Sequence, residues 1–159
     1  MSEKTAEELF NEAEEAYRNR RLEDAADLYR KAADKGDAEA QNILGVMYAN
    51  GQGVTQSYPE AAKWYRKAAD QGDAMAQFDL GYLYAKGQGV RQSRHEAVKW
   101  YRLAAEQGHT EAQFRLGWTY YSGYGALRSY QNAVKWFRLA AENGHEFSQH
   151  MLDELGASE

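Results

Sequence analysis

The stretch "EAAKWYRKAADQGD" at 60–73 returns as "EAVKWYRLAAEQGH" at 96–109 and as "NAVKWFRLAAENGH" at 132–145, each copy 36 residues after the last. No other feature restricts the fold so tightly. A period of about 20–50 residues marks one supersecondary unit that cannot bury its apolar face alone and must stack on its neighbours. The register holds beyond the quoted stretch. Gly36, Gly72, Gly108 and Gly144 keep the step, as do Leu44, Leu80, Leu116 and Leu152, and Tyr48, Tyr84 and Tyr120. "LEDAADLYRKAADKGD" at 22–37 is an earlier, looser copy.

Each unit reads as two helices, A and then B. In the second unit helix A is expected over 38–50, where Ala40, Leu44, Met47 and Tyr48 fall at i, i+4, i+7 and i+8, a one-sided helical face. Helix B is expected over 58–71, with Ala61, Trp64, Tyr65, Ala68 and Ala69 inward. Asn50-Gly51 ends helix A, because glycine accepts the left-handed C-terminal conformation. Ser57 with Glu60, and Ser93 with Glu96, have capping-box spacing, while Ser129 with Asn132 keeps the first half. Asp37 and Asp73 are N-cap candidates, with a Thr110–Gln113 capping box expected in their place one unit later. Gly45, Gly81 and Gly117 sit inside helix A, where each costs about 1 kcal/mol against alanine. Close approach of helix B, small there at Ala61, Ala97 and Ala133, is the expected reason.

The unit "AEAQNILGVMYANGQGV" followed by "EAAKWYRKAADQGD" resembles the Sel-one-like repeat, an α/α-solenoid relative of the tetratricopeptide repeat. Full copies occupy 38–73, 74–109 and 110–145; residues 5–37 are similar to a plain tetratricopeptide unit, and 146–159 are expected to form a capping helix and tail. The resemblance implies a single all-α domain over 1–159, a right-handed superhelical solenoid of about four helical hairpins plus the C-terminal cap. It also implies A helices along the concave side, and a scaffold or adaptor role without chemistry of its own. Some secreted relatives staple their repeats with cysteine pairs, a variant excluded here because the chain has no cysteine.

Comparison between copies separates fold from function. Leu44, Leu80 and Leu116, the tyrosines at 48, 84 and 120, and Trp64, Trp100 and Trp136 do not vary, so they are read as core. Other registers of helix A do vary: Asn42, Phe78 and Phe114; Val46, Tyr82 and Trp118; Ala49, Ala85 and Tyr121. Residues 114, 118 and 121 form one stripe, roughly 130° around the helix from Leu116, Gly117 and Tyr120. In the tetratricopeptide-type arrangement those registers face the groove. The expected binding surface is therefore floored by Phe78, Tyr82, Phe114, Trp118 and Tyr121 and flanked by Asn42, Asn50 and Lys86. The alternative is that these side chains pack between adjacent A helices.

Composition limits the partner. The net charge of −5 argues against a general nucleic-acid binder, and no apolar run reaches the ~18–20 residues of a membrane span. Charge is uneven: residues 1–37 hold seven Lys/Arg against eleven Asp/Glu, and 74–138 hold nine against four. Lys86, Arg91, Arg94 and Arg115 favour a protein or peptide partner with an acidic segment. The acidic start "MSEKTAEELF" lacks the apolar segment of a secretory signal, so a cytoplasmic location is expected, the alternative being a secreted or periplasmic protein with its signal removed. Either end of such a stack could pair with a second copy.

No catalytic residue, metal site or cofactor is expected. His145 and His150 are five apart, not the four that a zinc-protease helix needs. "GQGVTQS" and "GQGVRQS" follow helices, lack the phosphate-loop lysine, and read as C-caps. Two other readings stand beside the scaffold. One is an enzyme inhibitor or cell-envelope regulator acting through the divergent 123–130 loop, "GYGALRSY"; the other is an engineered repeat scaffold.

Overall fold

The computed structural model describes residues 2–157; Met1 and the end of the predicted tail, 158–159, lie outside the described residues. The described chain is α-helical throughout: α1 (Ala6–Arg18), α2 (Leu22–Asp34), α3 (Ala38–Asn50), α4 (Tyr58–Asp70), α5 (Ala74–Lys86), α6 (Arg94–Glu106), α7 (Thr110–Ser122), α8 (Tyr130–Glu142) and α9 (Glu146–Glu154). The odd-numbered helices α1–α7 each form a hairpin with the next helix. Each hairpin then stacks on its successor through α2 on α3, α4 on α5, α6 on α7 and α8 on α9. The result is a helical solenoid of four hairpins closed by one more helix.

Local chemistry sets the helix ends. Asp37 and Asp73 accept the amides of Ala40 and Ala76 at 2.7 and 2.8 Å. Ser57, Ser93 and Ser129 accept from Glu60, Glu96 and Asn132. Such caps are worth about 1 kcal/mol each. The expected Thr110–Gln113 box does not form. Thr110 is already inside α7, and His109 holds the cap, its Nδ1 accepting the Ala112 amide at 3.2 Å. A neutral imidazole nitrogen does there what a carboxylate oxygen does at Asp37 and Asp73.

Gln113 is instead part of a buried ladder. Its side chain donates to the Ala105 carbonyl at 3.2 Å, and its own oxygen accepts from Asn143 at 3.1 Å. Gln77 and Gln41 repeat the arrangement, joined to Gln107 and Gln71 at 2.9 Å. Each rung ties helix A to the B helices before and after it, and leaves the buried amide satisfied. A second ladder runs through the half-buried tyrosines. Arg30, Arg66 and Arg102 donate to the hydroxyls of Tyr48, Tyr84 and Tyr120 at 2.6, 2.5 and 2.6 Å.

The core is built hairpin to hairpin. Leu44, Leu80 and Leu116 are fully buried. Trp64, Trp100 and Trp136 are buried too, and each reaches back into the apolar cluster of the preceding helices. The helix-internal glycines have a sharper cause than small facing alanines. A Cβ on Gly45 would lie 2.6 Å from the Tyr65 ring, on Gly81 2.9 Å from Tyr101, and on Gly117 2.7 Å from Phe137. An aromatic ring of helix B lies against the bare backbone of helix A. In the Gly-x-Gly loops the first glycine ends helix A with positive φ, and the second seats the loop on the preceding hairpin. A Cβ on Gly53 would fall 2.1 Å from the Leu22 carbonyl oxygen.

Two substitutions test this packing. Trp100→Ala is expected to lower unfolding free energy by about 3–5 kcal/mol in chemical denaturation. Gly45→Ala raises intrinsic helix propensity, yet is expected to destabilise by about 1–3 kcal/mol because Tyr65 must move; a stabilised variant would remove the ring-on-glycine contact from the account.

Candidate functional site

At each junction between hairpins the stacked helices leave an open cleft, and the same registers line all three. Tyr29, Ile43, Val46, Met47 and Gln52 line the first, of about 470 Å³. Their equivalents Tyr65, Asp79, Tyr82, Leu83 and Gln88 line the second, of about 330 Å³. Tyr101, Arg115, Trp118, Thr119 and Tyr124 line the third, of about 490 Å³. The 36-residue step places the clefts in a row on one face. Their shared back wall is the aromatic residue of helix B, Tyr29, Tyr65 or Tyr101.

The residues expected to form one groove floor are distributed. Asn42 lines the first cleft, Asn50 and Tyr82 the second, and Trp118 the third. Trp118 is 44% exposed, and its ring lies 5.5 Å from Tyr121, which continues to Tyr130 at 5.8 Å. Lys86 is exposed, its Nζ 5.7 Å from the Tyr82 ring. Phe78 and Phe114 are half-buried in the seam between successive A helices. Phe78 stacks on His109 at 4.6 Å and leans on Tyr101 at 5.6 Å; Phe114 stacks on His145 at 4.5 Å. The flat imidazole that caps each following helix supplies that stacking partner. The 78/114 register packs between units; Tyr82 and Tyr121 are half-buried, Tyr121 against the cluster around Phe137, and Trp118 is exposed. Asn42 is buried, and its Oδ1 has no hydrogen-bond partner.

Of the register that differs most between clefts, sequence reasoning reached Arg115 by its charge and passed over Ile43 and Asp79. Ile43, Asp79 and Arg115 are equivalent positions, one residue along from Asn42, Phe78 and Phe114, so comparison of copies was able to find them. Tyr58 and Arg94 at the start of helix B, and Tyr124 in the loop, complete the walls.

Charge changes sign along the row. In the first cleft Glu14 accepts the Tyr29 hydroxyl, with Glu39 and Asp73 also on the wall. In the second, burial pushes the Asp79 carboxyl up to about 7, helped by the nearby negative charge of Asp73. In the third, the Arg94 guanidinium lies 3.5 Å from the centre of the Tyr124 ring, and Arg115 pairs with Glu111 at 2.9 Å. Burial raises the Tyr101 hydroxyl to about 12, partly offset by the Arg115 charge. Burial also lowers the His109 imidazole, which keeps it in the neutral form its capping bond requires.

Asp79 gives a pH signature. Its folded-state value lies above the ordinary carboxylate value, so the native state holds the proton longer than the unfolded chain does. The contribution of Asp79 to stability is then most favourable below about pH 4, falls as pH rises toward 7, and is flat above. Asp79→Asn is expected to be more stable than the parent, by a margin that opens between pH 4 and 7. The margin reaches about 2 kcal/mol, reduced from the closed-interior value because water enters the cleft. Urea titrations of both proteins across that range measure it.

A family model, the Sel1 repeat, matches residues 14–37, 38–73, 74–109 and 110–145. The chain is similar to a solved protective antigen of uropathogenic Escherichia coli with an SLR fold, at 39% identity and a TM-score of 0.89. That match covers 92% of this chain and 32% of the antigen. A Sel1 repeat protein from Oxalobacter formigenes matches at 36% identity and TM-score 0.86, over 94% of this chain and 63% of that one. Over 49 residues the chain is 45% identical to an exopolysaccharide production negative regulator of Rhizobium leguminosarum bv. viciae, spanning 31% of this chain and 18% of the regulator. It spans less than two thirds of the length of each of the three.

Proposed function

Because this chain belongs to the Sel1 repeat family, we propose that it is a non-enzymatic scaffold that holds a protein or peptide segment along the row of clefts. The observation that carries this reading is the exposed Trp118 at the mouth of the third cleft, with Tyr121 and Tyr130 extending its aromatic surface. A large amphipathic ring beside Arg94 and Arg115 has the composition of an interface hot spot. It is also dispensable to the fold, since the second unit carries Val46 at the same register. Variable residues on a constant frame are how a repeat protein acquires a partner.

Affinity in this reading comes from burying Trp118 and Tyr82, and direction from the charges in the clefts. The two arginines of the third cleft suit an acidic residue of the segment. Trp118→Ala is expected to keep the melting temperature within a few degrees of the parent and to weaken partner capture at least 10-fold, the loss of about 2 kcal/mol typical of a hot-spot ring. Affinity capture from a native lysate, run in parallel on both proteins, reads it. Unfolding on that change moves Trp118 into the core and removes the reading.

A second surface also has an observation in its favour. In the 123–130 loop Leu127 is 91% exposed, and Tyr124 and Tyr130 are at least half exposed. The equivalent loops carry Thr55 and Arg91 where this one has Leu127. A protruding apolar tip suits contact with a second protein, as an inhibitor or regulator makes, and the curated relative is itself named for negative regulation. Leu127→Ser is expected to spare capture that depends on Trp118 and to abolish any contact made through the loop, measured in the same assay.

A further inference from the structure

The second cleft does not need its charge in order to fold. The first cleft has Ile43 where the second has Asp79, and the third has Arg115. An apolar side chain therefore fits this position. Recessing a carboxylate there is costly unless something opposite in charge meets it. Among the described residues the Asp79 carboxylate has no hydrogen-bond or ion-pair partner. The one cation of α5, Lys86, is exposed, its Nζ 5.7 Å from the Tyr82 ring.

Three tyrosines share the cleft with that carboxylate: Tyr58 from the first turn of α4, Tyr65 two turns on, and Tyr82 from α5. Aromatic faces attract cations through the ring quadrupole, more strongly when water is partly excluded. A carboxylate recessed among aromatic rings is the arrangement a cationic group would complete. The neighbouring cleft makes the contrast. Arg94 stands at the Tyr58 register, Arg115 at that of Asp79, and Trp118 at that of Tyr82, giving similar shape with inverted charge.

We propose that the second cleft is a cation cage that takes a lysine or arginine side chain of the bound segment, with Asp79 as counter-ion and Tyr58, Tyr65 and Tyr82 as walls. This deepens the scaffold reading above and rests on it. The cage fixes the direction of the segment as well as its register. With the basic residue seated beside Asp79, an acidic residue further along the segment meets Arg94 and Arg115 in the neighbouring cleft, and a segment laid in reverse places like charges together.

The test is a nuclear magnetic resonance titration of the isotope-labelled chain with acetyl-Gly-Arg-Gly-amide, using acetyl-Gly-norleucine-Gly-amide as the uncharged control. A lone ion pair with ring contacts binds in roughly the millimolar range. The expected result is a saturable shift confined to signals of Tyr58, Tyr65, Tyr82 and Asp79, absent with norleucine and at least five-fold weaker in Asp79→Asn. Asn at this position removes the charge and not the fold. Equal binding by Asp79→Asn, equal binding of norleucine, or no shift up to roughly 50 mM overturns the cage. Trp118→Ala lies in the other cleft and is expected to bind the arginine probe as the parent does. If capture depends on Trp118 but the probe fails, the cage is overturned and the scaffold stands. If the probe binds as expected while capture is indifferent to Trp118, the cage stands and the segment-binding row is overturned.

Discussion

An aromatic ring lying on a glycine holds this molecule in shape. Tyr65 on Gly45, Tyr101 on Gly81 and Phe137 on Gly117 bring helix B of the second, third and fourth hairpins to a distance no Cβ would allow. Removing a side chain from helix A costs helix propensity, and the buried ring offsets that cost. The contact also decides which way every other residue faces. Once the glycine side of helix A is against helix B, Leu44, Leu80 and Leu116 go to the core, and the 46/82/118 register falls on the cleft wall. The back of the ring meanwhile becomes the wall of the cleft at the next junction. One packing device therefore builds both the frame and the recesses in it.

Those recesses are where the copies stop agreeing. The Gln41, Gln77 and Gln113 ladder and the Arg–Tyr rungs cross each junction with the same hydrogen bonds. That leaves the 43/79/115 register outside both ladders and free to vary. Ile43, Asp79 and Arg115 differ in size, polarity and charge, yet the backbone around them is the same. In a stack where each unit touches only its neighbours, such a change is felt at one junction and not transmitted. The charge gradient from Glu14, Glu39 and Asp73 to Arg94 and Arg115 follows from that freedom.

The architecture was legible because it is written several times. Helix A is expected over 38–50 and found at Ala38–Asn50; helix B is expected over 58–71 and found at Tyr58–Asp70. Capping and glycine signals sit at both ends of each, so local chemistry and period agree. The site was legible only in part. Variation picks out Trp118 and Tyr82, but it also picks out Phe78 and Phe114, which the structure stacks on His109 and His145. A wheel drawn on one helix shows which way a side chain leaves it and not what the next hairpin brings alongside. The capping histidines are that missing neighbour, and they also displaced the expected Thr110–Gln113 box. Asp79 was missed for a similar reason. A lone carboxylate on a helix reads as solvated until the tyrosines of a different helix are known to surround it.

Asp79 also shows how stability and recognition meet in such a stack. Its desolvation cost falls on the junction between α4 and α5, the middle of the solenoid, where the hairpins of both halves depend on the contact. A solenoid opens at its weakest junction, and a penalty there separates two halves that are each sound. Anything that binds the native cleft and not the unfolded chain returns stability in proportion to its occupancy. A cationic side chain seated beside Asp79 would therefore do two things at once. It would anchor the segment, and it would stiffen the join between the acidic half of the row and the basic half, so that the remaining clefts are held in line for the rest of the segment. The charge that weakens the empty scaffold is the same charge that couples its two halves when it is filled.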